Sequence, residues 1–237
     1  MTNRLVVFSD VQGNSVALQA MFDYTKNLPD DDSLEYICLG DVACGYAPNT
    51  VLDLLRENDV RCIRGNMDDV ILNPEVYTGD DESEKFYNGI DRWASARLTQ
   101  INRDFLAKFF RNLHITGDRF YRFAHGTPDD NTVALDYDTP QHILQMYMIG
   151  SRILFTGHTH KPMMIQLGDN LLINPGSIGF PDTDLNGKRP LRAQFVIVDE
   201  GRFEFITVNY KREDFSFAVM NSGMPHAIWY LGLWDIA

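Results

Sequence analysis

The chain has few cysteines, no long apolar run and a shortage of basic residues. Its three cysteines, Cys38, Cys44 and Cys62, are odd in number and form no CxxC pair. This argues against a disulfide framework and for reduced thiols. No stretch reaches the about 20 apolar residues of a membrane-spanning helix, and the apolar run after Met1 is too short for a signal peptide. These absences predict a cytoplasmic protein without a membrane partner.

Basic residues are outnumbered, with 21 Lys and Arg against 33 Asp and Glu, and the formal net charge is −12. Proteins that bind long nucleic acid through a basic face have the opposite sign. A small anionic ligand is still compatible with this charge, because bound divalent metals reverse the local field of a carboxylate-rich pocket. The charge therefore excludes long nucleic acid and leaves small anions open.

Repeats, low-complexity tracts and Pro/Ser-rich linkers are also missing from the 237 residues. This length suits one large domain with a full core and is too short for two ordinary domains with a linker. We predict a single domain over residues 1–237.

The first third of the chain alternates short β-branched runs with helical patterns. Strand–helix–strand order of this kind predicts parallel βαβ units with right-handed crossovers. The predicted strands are 5–9, 36–39 and 60–64, and the predicted helices are 16–28 and 50–58.

The later parts of the chain follow another pattern. An acidic surface loop is predicted at 79–85, and helices at 90–98 and 102–112. From residue 114 onward we predict short strands, turns at Gly117-Asp118 and at 168–170, and a hairpin that pairs 195–198 with 203–208. Parallel units followed by hairpins predict a mixed two-sheet sandwich with helices outside. The apolar run 228–234 is expected to dock on the core or on a subunit partner, which leaves a homo-oligomer open.

Polar residues able to bind metals follow the predicted strands, where α/β sheets place their sites. In chain order these residues are Asp10, Gln12, Asp41, Asn66, His125, His158 and His160. Taken singly, each has an ordinary explanation: a Gly-Asp pair is usually a turn, and a His-Gly pair usually has no function. Their repeated position after strands makes chance a poor explanation.

This mixture of side chains suits a centre of two divalent ions. Ions ~3.5–4 Å apart need a carboxylate that bridges them, with oxygen and imidazole donors on either side. Glycines beside the candidate ligands let the backbone turn sharply and approach the metals. The spacing of His158 and His160 puts both imidazoles on one side of an extended segment or splays them around a tight loop.

The motifs together resemble the calcineurin-like metallophosphoesterase superfamily, whose pattern is D-x-H, G-D, G-N-H-[DE], H-G and G-H-x-H. The resemblance extends from residue 5 to about residue 199 and is narrowest to small bacterial and archaeal phosphodiesterase-like members. The segments that carry it are Gly40-Asp-Val-Ala-Cys-Gly-Tyr-Ala-Pro48, His125-Gly-Thr-Pro128, Gly157-His-Thr-His-Lys-Pro162 and Asn174-Pro-Gly-Ser-Ile-Gly179. It implies an α+β/α/β mixed fold, a four-layer αββα sandwich of two mixed β-sheets flanked by helices.

The resemblance also implies roles for the candidate residues. Asp41 would bridge two divalent ions, and a hydroxide shared by the ions would attack phosphorus. One ion would be held by Asp10, Gln12 and His160, and the other by Asn66, His125 and His158. The two ions would be Mn, Fe, Zn, Ni or Mg.

Two positions depart from the family pattern. Gln12 replaces a histidine ligand, and its neutral amide oxygen favours Mn²⁺ or Mg²⁺ over softer ions, with Mn²⁺ preferred. Met67 replaces the histidine that meets the transition-state phosphate or protonates the leaving group, and a thioether can do neither. Asp68 or Asp69 is the candidate substitute; otherwise the leaving group needs no acid.

The candidate catalytic residues are therefore Asp41, Asn66 and Asp68, and the candidate substrate-binding residues are Met67 and Tyr46. The predicted function is metal-dependent hydrolysis of a small phosphodiester or phosphoanhydride, of the nucleotide or dinucleoside polyphosphate type. The alternative is a degenerate member of the fold that serves as a protein-interaction scaffold. Retention of six of the eight pattern residues favours the enzyme.

Overall fold

The computed structural model describes residues 4–29, 34–74, 82–115 and 120–235. Within these ranges the strands are β1 (Arg4–Phe8), β2 (Leu34–Cys38), β3 (Arg61–Cys62), β4 (Leu113–Ile115), β5 (Tyr121–Phe123), β6 (Ile153–Phe155), β7 (Pro162–Leu167), β8 (Asn170–Pro175), β9 (Arg192–Asp199) and β10 (Arg202–Asn209). The helices are α1 (Ser15–Lys26), α2 (Pro48–Glu57), α3 (Asn66–Leu72), α4 (Glu82–Arg97), α5 (Gln100–Ala107), α6 (Gln141–Tyr147), α7 (Arg212–Asn221) and α8 (Ala227–Leu231).

The strands form two five-stranded mixed sheets. The first has the order β10-β9-β1-β2-β3, in which β1, β2 and β3 run parallel and the C-terminal hairpin β9–β10 adds antiparallel strands. The second has the order β4-β5-β6-β8-β7, with a parallel centre and an antiparallel strand at each edge. The predicted 195–198/203–208 hairpin is confirmed, as is the 168–170 turn between β7 and β8.

Alternation along the strands divides the core into layers. In β1, Leu5 and Val7 point into the apolar core between the two sheets, whereas Val6 and Phe8 point into the core under the helices. On the far side of the second sheet, Leu144 of α6 packs with apolar residues of β6, β7 and β8. The predicted four-layer αββα sandwich is therefore confirmed.

Two predicted helix boundaries in the middle of the chain were wrong. Helix α4 begins at Glu82, so the predicted acidic loop is helical from there, and its residues 79–81 lie outside the described ranges. Helix α5 ends at Ala107 instead of continuing to residue 112. The chain leaves the helix because Phe110 pairs with Ile63 beside β3, where its N–H donates to the Cys62 carbonyl (3.0 Å). The predicted Gly117-Asp118 turn lies outside the described residues.

The C-terminal region contains helices α7 and α8, which the sequence analysis did not predict. The apolar run that contains α8 docks on the core, as one of the two alternatives had it. Trp234 is 1% exposed, and its ring centroid lies 4.7 Å from that of Phe215 and 5.8 Å from that of Phe180. None of the helices in the described ranges has the length and apolar content needed to traverse a bilayer.

Candidate metal centre

Five candidate ligands follow the carboxyl ends of parallel strands. Asp10 comes after β1, Asp41 after β2, Asn66 after β3, His125 after β5 and His158 after β6. Because the two sheets pack face to face, these ends meet at one edge of the sandwich. The fold therefore brings residues separated by up to 148 positions into one cluster.

The loops that carry these residues have an unusual backbone. Asp10, Gln12, Asp41, His158 and His160 all have positive φ, between 51° and 66°. Non-glycine residues in this left-handed region are sparse and tend to mark functional sites. The positive φ of both histidines also shows that their segment is a tight loop and not an extended strand.

Hydrogen bonds between loops hold this strained backbone in place. The Asp10 N–H donates to the Gly40 carbonyl (3.0 Å), and the Gln12 N–H donates to the Asp41 carbonyl (2.9 Å). A Cβ atom on Gly65 would overlap Asp41 Oδ1, so only glycine allows the third loop to approach the second this closely. The candidate ligands are thus preorganised by backbone contacts.

Asn66, His125 and His158 form one group of contacts. Asn66 Oδ1 lies 3.0 Å from His125 Nε2 and 3.0 Å from His158 Nδ1, and the two ring nitrogens are 3.3 Å apart. His125 Nδ1 lies 3.0 Å from the Leu39 carbonyl. That carbonyl requires a proton on Nδ1, so the Nε2 lone pair of a neutral His125 faces the cluster.

Asp10 and His160 form a second group. His160 Nδ1 contacts the Phe180 carbonyl (2.6 Å), which directs Nε2 toward Asp10 Oδ1 at 3.2 Å. Asp10 Oδ2 accepts the His158 N–H (3.1 Å) and so links the two groups. His125 and His160 thus each place one ring nitrogen on a backbone carbonyl, which is the arrangement common among metal-bound histidines.

Asp41 lies between the two groups. Its Oδ2 is 3.3 Å from Gln12 Nε2 on one side and 3.3 Å from His125 Nε2 on the other. Its Oδ1 accepts the Met67 N–H (2.8 Å). The Gln12 amide oxygen accepts the thiol of Cys44 (2.9 Å), so Gln12 contacts both a carboxylate and a thiol.

The donor set fits a divalent cation. Ligand atoms of Asp41, His125 and His158 lie within 4.8 Å of one another. Asp10 Oδ1 is buried and makes no well-aligned hydrogen bond within the described chain, although His160 Nε2 lies 3.2 Å away. A buried carboxylate oxygen without a hydrogen bond is costly unless a cation neutralises it. Carboxylate, amide and imidazole donors together match metals of the Mn, Fe and Zn type.

Electrostatics within the cluster favour positive charge. Burial raises the pKa of Asp10, but His160 and His125 outweigh this effect and hold the pKa at about 2. Burial lowers the pKa of His125, but the carboxylates of Asp41, Asp10 and Asp68 raise it to about 10. The charges that hold a proton on His125 would equally attract a metal ion in its place.

A domain model described as the calcineurin-like phosphoesterase superfamily domain matches residues 4–199. The chain belongs to this superfamily. It is accordingly a hydrolase of the phosphoesterase class, and the family resemblance predicted from the motifs is confirmed. An uncharacterised protein of Methanocaldococcus jannaschii is 27% identical over 230 aligned residues, which cover 87% of each chain.

Two solved structures have the same fold as this chain. A hypothetical protein from Pyrococcus horikoshii aligns with a TM-score of 0.80 and 21% identity over 96% of each chain. A metallophosphoesterase from Sphaerobacter thermophilus aligns with a TM-score of 0.73 and 22% identity, over 97% of this chain and 99% of that one.

Asp68, in the superfamily motif after Asn66, has contacts unlike those of a general acid. Its Oδ1 accepts the Val42 N–H (2.9 Å), and its Oδ2 accepts the N–H groups of Asp41 (3.0 Å) and Gly65 (2.9 Å). Burial and the Asp41 charge raise its pKa to about 7, and the N–H donors oppose that rise. Asp68 therefore joins the loop after β2, which contains Asp41, to the loop after β3. It does not line the cavity that opens beside the cluster.

Asp69 also faces other partners. Its carboxylate lies 2.7 Å from Arg111 and 3.5 Å from Arg64, and it accepts the Asn131 amide (2.9 Å). The structure thus turns both acids that the sequence offered as substitutes for the missing histidine away from the cavity.

A cavity of about 250 Å³ opens beside the cluster. Lining residues at or after the strand ends, here called the loop wall, include Gln12, Asp41, Asn66, His158 and His160, all of which were predicted to bind metals. Lining residues from helices, here called the helical wall, are Met67 of α3, Tyr87, Ile90 and Asp91 of α4, and Tyr230 of α8. Met67 therefore lies where the sequence analysis expected a substrate-binding residue.

Asp91 was missed by the sequence analysis. It is 4% exposed, and its Oδ2 has no hydrogen-bond partner in the described chain. Burial and the charge of Asp41 raise its pKa to about 7. The available signal was an acid on the buried face of a helix, next to Ile90 and one turn before Ser95, both of which are buried.

Tyr46 requires a correction, because it does not line this cavity. Its ring is 3% exposed and packs against Phe215, with ring centroids 5.8 Å apart. Its hydroxyl donates to Asn14 Oδ1 (2.9 Å) and accepts the Val16 N–H (3.2 Å) at the start of α1. Tyr46 follows Asp41 closely in sequence, but the loop turns its side chain into the helical core.

Proposed function

We propose that this protein hydrolyses a small phosphodiester or phosphoanhydride, of the nucleotide or dinucleoside polyphosphate type, with two divalent metal ions. The observation that carries the proposal is the position of Asp41. Its Oδ2 lies 3.3 Å from one member of each predicted ligand set, Gln12 and His125. A carboxylate in that position is suited to bridging two ions.

The remaining contacts support the proposed ligand sets. Asp10 contacts His160, while Asn66 contacts both His125 and His158. We assign the first pair with Gln12 to one ion, the other three residues to the second ion, and Asp41 to both. When bound, such ions activate a water molecule as nucleophile and neutralise charge on the phosphate.

Gln12 would bind the first ion through its amide oxygen, which here accepts the Cys44 thiol, and a neutral amide oxygen supports Mn²⁺ as the preferred occupant. The Phe180 and Leu39 carbonyls orient His160 and His125, and Asp68 positions the loop of Asp41. We assign these three groups positioning roles, because they act through the ligands.

The cavity supports a small substrate. Its volume of about 250 Å³ suits a phosphoryl group with part of its leaving group and is too small for a nucleic-acid duplex. The net charge of −12 also disfavours long nucleic acid. A cytoplasmic location and a homo-oligomeric state stay predictions.

Metal stoichiometry and hydrolysis, measured on the same preparation, test the proposal. We expect close to two Mn²⁺ ions per chain by calorimetric titration, and hydrolysis of bis(para-nitrophenyl) phosphate that requires the added metal. An exposed-surface variant, Glu57→Gln, is the control for both measurements. Absence of metal uptake would favour the scaffold alternative, and uptake without hydrolysis of any ester or anhydride would contradict the enzymatic proposal.

A further inference from the structure

The leaving oxygen of a phosphoester departs more easily when an acid protonates it, and the family histidine for this role is Met67 in this chain. Asp68 and Asp69 have their oxygens engaged elsewhere, as described above. The cavity nevertheless contains another carboxyl group on its helical wall.

We propose that Asp91 is the proton donor to the oxygen that leaves phosphorus. Asp91 can have this role only if the proposed phosphoesterase function holds. Tyr87, Ile90 and Asp91 are spaced three and four residues apart along α4, so they share one helix face, and all three line the cavity. Met67 lines the same cavity, so Asp91 and the position of the family histidine border one space.

The lack of a hydrogen-bond partner for Oδ2 distinguishes Asp91 from a structural buried carboxylate. Structural buried carboxylates accept several hydrogen bonds, as Asp68 does from three backbone N–H groups. Asp91 is almost as buried, yet its Oδ2 has no partner in the described chain. A protonated carboxyl group with a free hydrogen can donate it to a substrate in the cavity.

The other candidate acids in the cavity are less suitable. The Cys44 thiol donates to the Gln12 amide oxygen, and burial raises the pKa of this thiol well above its usual value. Burial also raises the pKa of the Tyr230 hydroxyl far above neutrality. Asp91 differs from both, because its burial raises its pKa only to about 7, with a further contribution from Asp41 in the metal-free protein.

The step balances without a further reactant. As water oxygen bonds to phosphorus, the bond from phosphorus to the leaving oxygen breaks and its electron pair stays on that oxygen. The proton of the Asp91 carboxyl group moves to the same oxygen, which leaves as an alcohol or an acid. Asp91 is left as a carboxylate and regains a proton from solvent, and the proton lost by the attacking water passes to solvent.

The test compares leaving groups in the metal-loaded protein and in Asp91→Asn, which keeps the shape but cannot transfer a proton. The substrates are phosphodiesters whose leaving groups run from para-nitrophenol through phenol to an alkyl alcohol. We expect the variant to keep the nitrophenyl rate within about threefold and to lose ~10²–10⁴ on the alkyl ester. The unmodified protein should show a shallow dependence of rate on leaving-group pKa, and the variant a steep one.

Met67→His in the Asp91→Asn background provides the rescue. The imidazole would border the same space and should recover at least about tenfold on the alkyl ester, with little change on the nitrophenyl ester. Glu57→Gln, which removes an exposed charge on α2, should change neither rate. An equal loss on all leaving groups would show that Asp91 positions substrate or metal, and would overturn the proposal.

Two measurements without turnover complete the test. Difference infrared spectroscopy at neutral pH should show the carbonyl stretch of a protonated carboxyl group that disappears in Asp91→Asn. Mn²⁺ titration should give the same stoichiometry in both proteins. The same cavity is lined by other ionisable side chains, so the variant spectra are compared over pH; these side chains are Asp41, Cys44, Tyr87, His158, His160 and Tyr230.

The outcomes separate this inference from the proposed function. Hydrolysis of the nitrophenyl ester by the unmodified protein supports the phosphoesterase function whatever Asp91 does. A steep leaving-group dependence in the unmodified protein, unchanged in Asp91→Asn, would overturn only the role of Asp91. Failure of the metal-loaded protein on every substrate would overturn the proposed function and the proton donor with it.

Discussion

The cavity has one wall made of loops that follow strands and another made of helices, and the two walls hold polar groups in opposite ways. In the loop wall, Gln12, Asp41 and His158 have positive φ, and their side chains contact neighbouring polar side chains or a backbone N–H. In the helical wall the backbone is regular, yet Asp91 Oδ2 and the Tyr230 hydroxyl have no hydrogen-bond partner in the described chain.

This difference separates a preorganised half from an adaptable half. Strained loop geometry persists only where many contacts determine it, as inter-loop hydrogen bonds do here. Regular helices impose no such requirement on their side chains, so a residue such as Met67 can change without disturbing the fold. Under the proposed function, the loop wall defines the reaction class, and the helical wall is where substrate preference can vary.

The largest effect is expected from the centre of the loop wall. Asp41→Ala removes the carboxylate proposed to bridge both ions, so hydrolysis of an aryl phosphodiester should fall below a few per cent. Circular dichroism should show an unchanged fold, since the Asp41 N–H and carbonyl contacts to Asp68 and Gln12 come from the backbone. Retention of substantial activity would refute the bridging assignment.

Asp68 is expected to affect stability and metal affinity through its hydrogen bonds to the backbone. Asp68→Ala leaves three buried N–H groups without an acceptor, at about 1–3 kcal/mol each, so the free energy of unfolding should fall by about 3–9 kcal/mol. Mn²⁺ affinity should fall by about 10–100-fold, because Asp41 loses its support.

Its neighbour Asp69 is the matched control. Asp69 is a third exposed and forms ion pairs with Arg64 and Arg111, so Asp69→Ala should lower stability by about 1 kcal/mol or less. An Asp68→Ala protein with normal stability and metal affinity, but slow on poor leaving groups, would restore Asp68 as the general acid of the sequence prediction.

The loop wall was predictable from sequence and the helical wall, apart from Met67, was not, for a physical reason. A polar residue beside glycine after a β-branched run, as in Gly40-Asp41, indicates a strand end, and strand ends of a two-sheet sandwich converge. The contact between Asp91 and the cavity depends on how α4 packs, which no local pattern specifies. Tyr46 shows the same limit, because nearness to Asp41 in sequence did not indicate where its side chain points.

The helical wall should reveal its unpartnered carboxyl group through stability and pH. Folding raises the pKa of Asp91 from 3.8 to about 7, so the folded protein retains a proton that the unfolded chain loses. The resulting destabilisation is absent below pH 3.8, grows as pH rises, and is complete above about pH 7, at no more than about 4 kcal/mol.

Asp91→Asn removes this ionisation. In metal-free protein, the stability of the variant relative to the unmodified chain should therefore rise between about pH 4 and pH 8, as measured by urea unfolding at several pH values. Glu57→Gln should show no such trend. A difference that is constant over pH would mean that Asp91 ionises normally in the folded protein.

A smaller effect is expected where the loop wall departs from the family pattern. Gln12→His should tighten one metal site by about tenfold and shift preference toward Zn²⁺ over Mn²⁺, because imidazole is the softer donor. Two-site titration calorimetry measures both affinities, and Gln12→Ala, which supplies no donor, should loosen the same site. Two equally tight sites in the unmodified protein would contradict a weak amide ligand.

The smallest effect is expected from Tyr46, which does not line the cavity. Tyr46→Phe removes a hydroxyl that joins Asn14 to the Val16 N–H, so the protein should lose about 1 kcal/mol of stability. Because the ring faces Phe215 and not the cavity, the KM for an aryl phosphodiester should stay unchanged. Thermal unfolding and steady-state kinetics on one preparation measure both quantities. A rise in KM without loss of stability would place the phenol at the substrate after all, as the sequence alone had predicted.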